Sequence, residues 1–169
     1  MPKDTTVVGE LAFERLAGLL DYPMFVVTTS ADGESAGCLV GFTSQVSIRP
    51  PRFLVGLSKR NHTFRVAQRS DHLAVHLLAR THRELARLFG SETGDEVNKF
   101  AKCAWHPGPH GMPILASAVG WFVGTVITRI DVGDHVGFLL EPVDGSAPQR
   151  FDRLVTFSDV RDLDPGHEA

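Results

Sequence analysis

The chain has 169 residues, 43% of them hydrophobic, with 17 Lys and Arg against 20 Asp and Glu, a formal net charge of -3 and a pI near 6.2. That length and apolar content suit a single domain, with its core over about residues 10–157, that buries roughly two-thirds of its unfolded surface. Without a basic excess, neither a nucleic-acid backbone nor an anionic membrane surface is an expected partner. No apolar run approaches the roughly 20 residues that span a bilayer, and MPKDTTVVGE has no basic segment leading into an apolar core. Cys38 and Cys103 are too few for a disulfide framework and lack zinc-site spacing, so both read as reduced thiols of a cytoplasmic protein.

In chain order, residues 10–20 place Leu11, Leu16, Leu19 and Leu20 near one face at helical spacing, which predicts an amphipathic helix ended by Tyr22-Pro23. β-branched and aromatic runs then flank Asp32-Gly33, a hairpin signal that predicts two antiparallel strands. Arg49-Pro50-Pro51 interrupts the pattern and RFLVGLSK resumes it as a third strand, followed by a short helix over about residues 62–69. HLAVHLLA reads as a fourth strand. Thr81-His82-Arg83-Glu84 reads as a capping box for a helix that turns Leu85, Leu88 and Phe89 inward before Gly90.

SETGDEVNKFAKC reads as a loop with one helical turn. The three prolines and two glycines from Trp105 to Pro113 predict an irregular loop that forms neither helix nor ladder. Strands resume over residues 114–132, turn at Gly133-Asp134 and return as HVGFLLEPV, with a last strand at RLVTF and a loosely attached tail from about Ser158. Many short strands with few helices predict a mostly antiparallel β-barrel and not βαβ units.

Neither a GxGxxG nor a GxxxxGK[ST] motif occurs, so a nucleotide must be held by other means. The eight histidines form no expected metal site: His72 and His76, four apart in a strand, lie about 13 Å from each other, and His106 and His110 sit in the Pro/Gly loop without acidic or thiolate companions. What stands out is Gly41-Phe42-Thr43-Ser44-Gln45-Val46-Ser47, followed by Ser58-Lys59-Arg60-Asn61-His62-Thr63. Hydroxyls, an amide and two cations before a helix start are the ingredients of a phosphate site, though an ordinary N-cap with two solvated cations fits the same residues. Gly133-Asp134-His135 is by itself a turn with a polar strand residue.

With these pieces in this order, the sequence resembles the flavin reductase-like family, whose fold is the FMN-binding split barrel. The resemblance runs through residues 25–64, HLLARTHRELARLF, NKF, GMPILASAVGWFVGTV and GDH, and covers roughly residues 22–140. Its more specific parts are the segment ending S-x-R-P-P and the GDH turn. It implies that Val40, Gly41, Phe42, Thr43, Ser44 and Gln45 run past the isoalloxazine edge of FMN or FAD. It also implies that Ser47, Lys59, Arg60, Asn61 and Thr63 surround the ribityl phosphate, and that His135 faces the nicotinamide of NADH or NADPH. A homodimer with flavin near the subunit interface is implied as well, and reduced flavin would serve a partner monooxygenase. Two features depart from the family. Gly41-Phe42-Thr43 stands where Asn-Ser-Phe is common, and the tail after Phe157 lacks the usual aromatic and basic ending. The same scaffold can instead serve as a non-enzymatic module or electron carrier for flavin, deazaflavin or haem, or as an oxidase that retains its flavin.

Overall fold

The computed structural model describes residues 5–151 and 153–166. Helix α1 (Thr5–Ala17) leads into the hairpin of β1 (Phe25–Ala31) and β2 (Glu34–Val40), paired from Phe25↔Val40 to Ala31↔Glu34. Its two-residue turn has Asp32 at φ 52° and Gly33 at φ 78°, the double left-handed turn whose twist matches that of the flanking strands. At Gly41-Phe42 the chain departs from the two-strand expectation. Thr43 N–H bonds back to the Gly41 carbonyl (3.0 Å) and Gly56 N–H to that of Phe42 (2.7 Å), which redirects the backbone into a separate strand. That strand, β3 (Thr43–Ser47), pairs with β4 (Arg52–Ser58).

Then follow α2 (His62–Ala67), β5 (His72–Leu77), α3 (Arg83–Ser91) and a short ladder of β6 (Trp105–Pro107) with β7 (Pro113–Leu115). The long hairpin of β8 (Gly120–Asp131) and β9 (His135–Ser146) and the one-turn α4 (Phe157–Val160) complete the fold. Seven strands form one sheet in the order β2-β1-β5-β8-β9-β4-β3, and each neighbouring pair is antiparallel.

Successive residues of β1 serve opposite faces, as the pleat requires. Val27 packs with Val55, Leu57, Phe64, Leu73, Val75, Phe138 and Leu140 inside the roll, while Val26 packs outside it with Met24, Leu78, Leu85, Phe89, Phe100 and Val155. This is the expected antiparallel split barrel, with both faces of its central strands buried.

Several expectations are corrected. The N-terminal helix begins at Thr5 and ends at Ala17, where Gly18 breaks the pattern, and among the side chains described it buries no large apolar one: Val8, Leu11, Phe13 and Leu16, and Leu19 and Leu20 just after it, are between 51% and 81% exposed. Helix α3 is capped by His82 without a side-chain hydrogen bond, so the Thr81–Glu84 box does not form. The Pro/Gly loop does build a ladder, because Pro107 and Pro113 face each other at its end, with the turn Pro109–Gly111 beyond. The last strand at residues 153–157 is reduced to the bridges Pro23↔Thr156 and Ala79↔Leu154. The start of the tail is anchored: the Asp21 carboxylate accepts from the Ser158 N–H and hydroxyl (both 2.9 Å), and Val160 is buried; residues 167–169 lie outside the described residues.

Candidate functional site

Three segments far apart in sequence meet at one place. The β4–β9 ladder sets Ser58 opposite His135, so the end of β4 lies beside the tip of the β8–β9 hairpin. Lys59 braces that tip twice: its N–H donates to the Asp134 carbonyl (3.0 Å) and its Nζ to Asp131 Oδ2 (2.8 Å). The Lys59 hydrogen bond holds the Asp131 carboxyl below its usual range. The third segment is Gly41-Phe42, whose exposed Phe42 ring lies 5.0 Å from the His135 ring at an interplanar angle of 53°. The His135 side chain is 16% exposed, and its Nδ1 is 2.6 Å from Asp134 Oδ1.

Beside this cluster runs β3, the last strand of the sheet, whose outer edge pairs with no other strand among the described residues. Ser44 and Gln45 are exposed on it, Thr43 and Ser47 are half-buried, and Val40 lies in the core. Gly41 marks a close approach, because a Cβ there would lie 2.5 Å from Tyr22 Cε2 and 2.8 Å from Met24 Sδ. Tyr22 is itself stacked on Phe157 at 5.1 Å. A side chain at this position would therefore have to displace the Tyr22 ring and the end of Met24.

The start of α2 offers less than its sequence suggests. Asn61 Oδ1 accepts the Thr63 N–H (2.9 Å) and the Asn61 carbonyl accepts that of Phe64 (3.1 Å), so these donors are already engaged. Thr63 is 1% exposed, so its side chain is buried in the fold. Lys59 and Arg60 remain exposed at this end.

The other histidines have separate surroundings. The buried His76 lies between the Val26 carbonyl (Nδ1, 3.0 Å) and the Leu115 N–H (Nε2, 3.1 Å), and burial lowers its pKa to about 4. His72 stacks on His110 at 3.9 Å. His62 bridges Glu34 (3.2 Å) and Asp95 (3.1 Å) beside a cleft of about 590 Å3 that Lys99, Phe100 and Trp105 also line. Sequence reasoning missed Asp131 and Asp134 as partners of Lys59 and His135. The acidic residues flanking the Gly133 turn were the available signal.

The sequence profile described as "Flavin reductase like domain" matches residues 17–162. The chain belongs to the flavin reductase-like family. Among curated relatives it is similar to "FMN reductase (NADH) RutF" of Ancylobacter novellus, 34% identical over 110 residues, which are 65% of this chain and 60% of that one. It is also similar to the "4-hydroxyphenylacetate 3-monooxygenase reductase component" of Pseudomonas aeruginosa, 26% identical and covering 87% of each chain. Several curated relatives are longer proteins, of which the chain spans about half, from 36% to 60%. Among solved structures, the "NADH:FAD oxidoreductase SgcE6" of Streptomyces globisporus superposes with a TM-score of 0.78 at 26% identity, covering 94% of this chain and 91% of that one.

Proposed function

We propose that the protein is a cytoplasmic flavin reductase that transfers a hydride from NADH or NADPH to FMN or FAD. The observation that carries this reading is the meeting of Phe42, His135 and the free edge of β3 with the cations at the end of β4. This donor set fits a flavin: an unpaired strand edge for the polar rim of a planar ring, an aromatic wall, and Lys59 and Arg60 for the phosphate. When bound, flavin supplies the electron sink, so the protein needs no acid–base pair of its own.

The chain's residues then divide the work. Backbone and hydroxyl groups from Gly41 to Gln45 hold the ring, with Val40 supporting them from the core and Ser47 turned to the ribityl phosphate. Lys59, Arg60 and the Asn61-capped turn hold the phosphate, with Thr63 packed beneath. His135 positions the nicotinamide of the donor. The names of the relatives support both flavin and NADH as substrates. They also support an oxygenase as the consumer of reduced flavin. We further infer a homodimer, supported by the row of exposed apolar side chains along α1.

The test is anaerobic addition of NADH or NADPH to the flavin-loaded protein, followed by absorbance. Bleaching within the mixing and turnover time supports the reductase, and inertness to both donors overturns it. In the His135→Ala variant, kcat/KM for the donor is expected to fall about tenfold, equivalent to ~1.4 kcal/mol, with flavin affinity unchanged.

A further inference from the structure

We propose that Asp134 is a positioning residue that fixes the tautomer and direction of His135, holding the proton on Nδ1 and leaving Nε2 as the atom presented to the ligand. This inference rests on the proposed role of His135 toward the nicotinamide donor. The Asp134 Oδ1 to His135 Nδ1 distance of 2.6 Å is a short, charge-assisted contact, and a carboxylate oxygen at that range requires a proton on the facing nitrogen. The Asp134 carboxyl lies below its usual range because of the hydrogen bond from His135, so it is the acceptor. Among the described residues, Nε2 has no hydrogen-bond partner.

The imidazole is held from three sides. Phe42 tilts against its face, Asp134 takes Nδ1, and the ladder to Ser58 fixes its backbone. The charged groups of the neighbouring elements are Lys59 at the end of β4 and Asp131 at the end of β8. They bond to each other, so neither competes for the ring. The Asp134 backbone is itself held, because its carbonyl accepts the Lys59 N–H (3.0 Å). An orienting carboxylate behind a working histidine selects one tautomer and cuts the cost of aligning the ring when the ligand arrives.

Nitrogen-15 NMR of the imidazole separates this role from a structural one, because it reads which ring nitrogen carries the proton whether or not the protein turns over. In the wild-type protein at a pH where His135 is neutral, the Nδ1–H form is expected to dominate. Asp134→Ala should move the population toward Nε2–H, whereas Asp134→Asn keeps an acceptor and should retain the Nδ1–H form. In single-turnover reduction of the flavin-loaded protein, Asp134→Ala is expected to slow donor oxidation about tenfold with flavin Kd unchanged. Adding Asp134→Ala to His135→Ala should produce no further loss. An unchanged tautomer in Asp134→Ala, or equal loss in the Ala and Asn variants together with a lowered Tm, overturns the proposal. A wild-type protein that is not reduced by either nicotinamide overturns the reductase reading instead, and leaves the tautomer result standing.

Discussion

His76 shows how one buried side chain sets a pH limit on the fold. It is fully buried with both ring nitrogens engaged, and its pKa is lowered to about 4 from the ordinary value of 6.5. The native state therefore binds fewer protons than the unfolded chain between these two values. Its stabilising contribution is fully present above pH 6.5 and is lost as pH falls toward 4, by about 3 kcal/mol in all. Urea unfolding midpoints should be level above pH 7 and fall steadily from pH 6.5 to 4.5, and an imidazole that titrates near 6.5 by NMR would refute the cause. At the site itself, Lys59 serves two partners, the Asp131 carboxylate in the structure and the proposed flavin phosphate. Lys59→Ala is expected to weaken flavin binding about tenfold to a hundredfold by fluorescence titration, the range of one charge-assisted hydrogen bond. Thr63→Ala, which the sequence alone marks as an equal phosphate contact, should instead lower Tm, because the residue is buried at the start of α2.

Elements whose signals were local were legible in the sequence, and those set by distant contacts were not. The turn at Asp32-Gly33 and the break at Gly133-Asp134 declare their hairpins because their backbone angles demand those residue types. The start of α2 follows from Asn61 in the same way. The separation of β3 from β2 had no such signal, because it depends on hydrogen bonds from Thr43 and Gly56 around Phe42. The meeting of Phe42 with His135 depends on the same turn. Lys99 is a further case. From the turn Lys99–Ala101 its Nζ donates to the carbonyls of Gly37 in β2 (3.0 Å) and Phe89 in α3 (3.1 Å), while the residue is 4% exposed. A lysine in a polar stretch reads as solvated, and only the assembled fold reveals it as the tie between a strand and a helix end. Lys99→Met keeps the length but leaves two buried carbonyls without donors, so stability is expected to drop by roughly 2–4 kcal/mol, read as a lower urea midpoint. An unchanged midpoint would mean that water reaches both carbonyls.

At the scale of the whole molecule, the outstanding feature is a helix whose apolar side chains have nowhere to go within one chain. Val8, Leu11, Phe13 and Leu16 of α1 and Leu19 and Leu20 just after it are all exposed, as are Ile127 and Ile130 of β8, Val132 in the turn that follows and Val143 of β9. Burying a Leu, Val, Ile or Phe side chain fully yields about 1.5–3 kcal/mol, so six of them left largely in water forfeit an amount comparable to the whole stability margin of an ordinary domain. Soluble monomers rarely leave contiguous apolar patches of that size uncovered, and a second copy offers the same patches in return through a two-fold interface. The proposed homodimer is therefore expected at micromolar concentration, with a mass by light scattering of twice the chain's 18.5 kDa. The pair Leu11→Ser and Leu16→Ser lies on the exposed side of α1, away from every core contact of the barrel, so it should shift the mass toward one chain without lowering Tm by more than a few degrees. If flavin also sits at the subunit boundary, the same variant should bind flavin more weakly at low protein concentration and recover as concentration rises. A wild-type protein that remains a monomer at about a hundred micromolar would remove the dimer, and with it this account of why α1 is apolar.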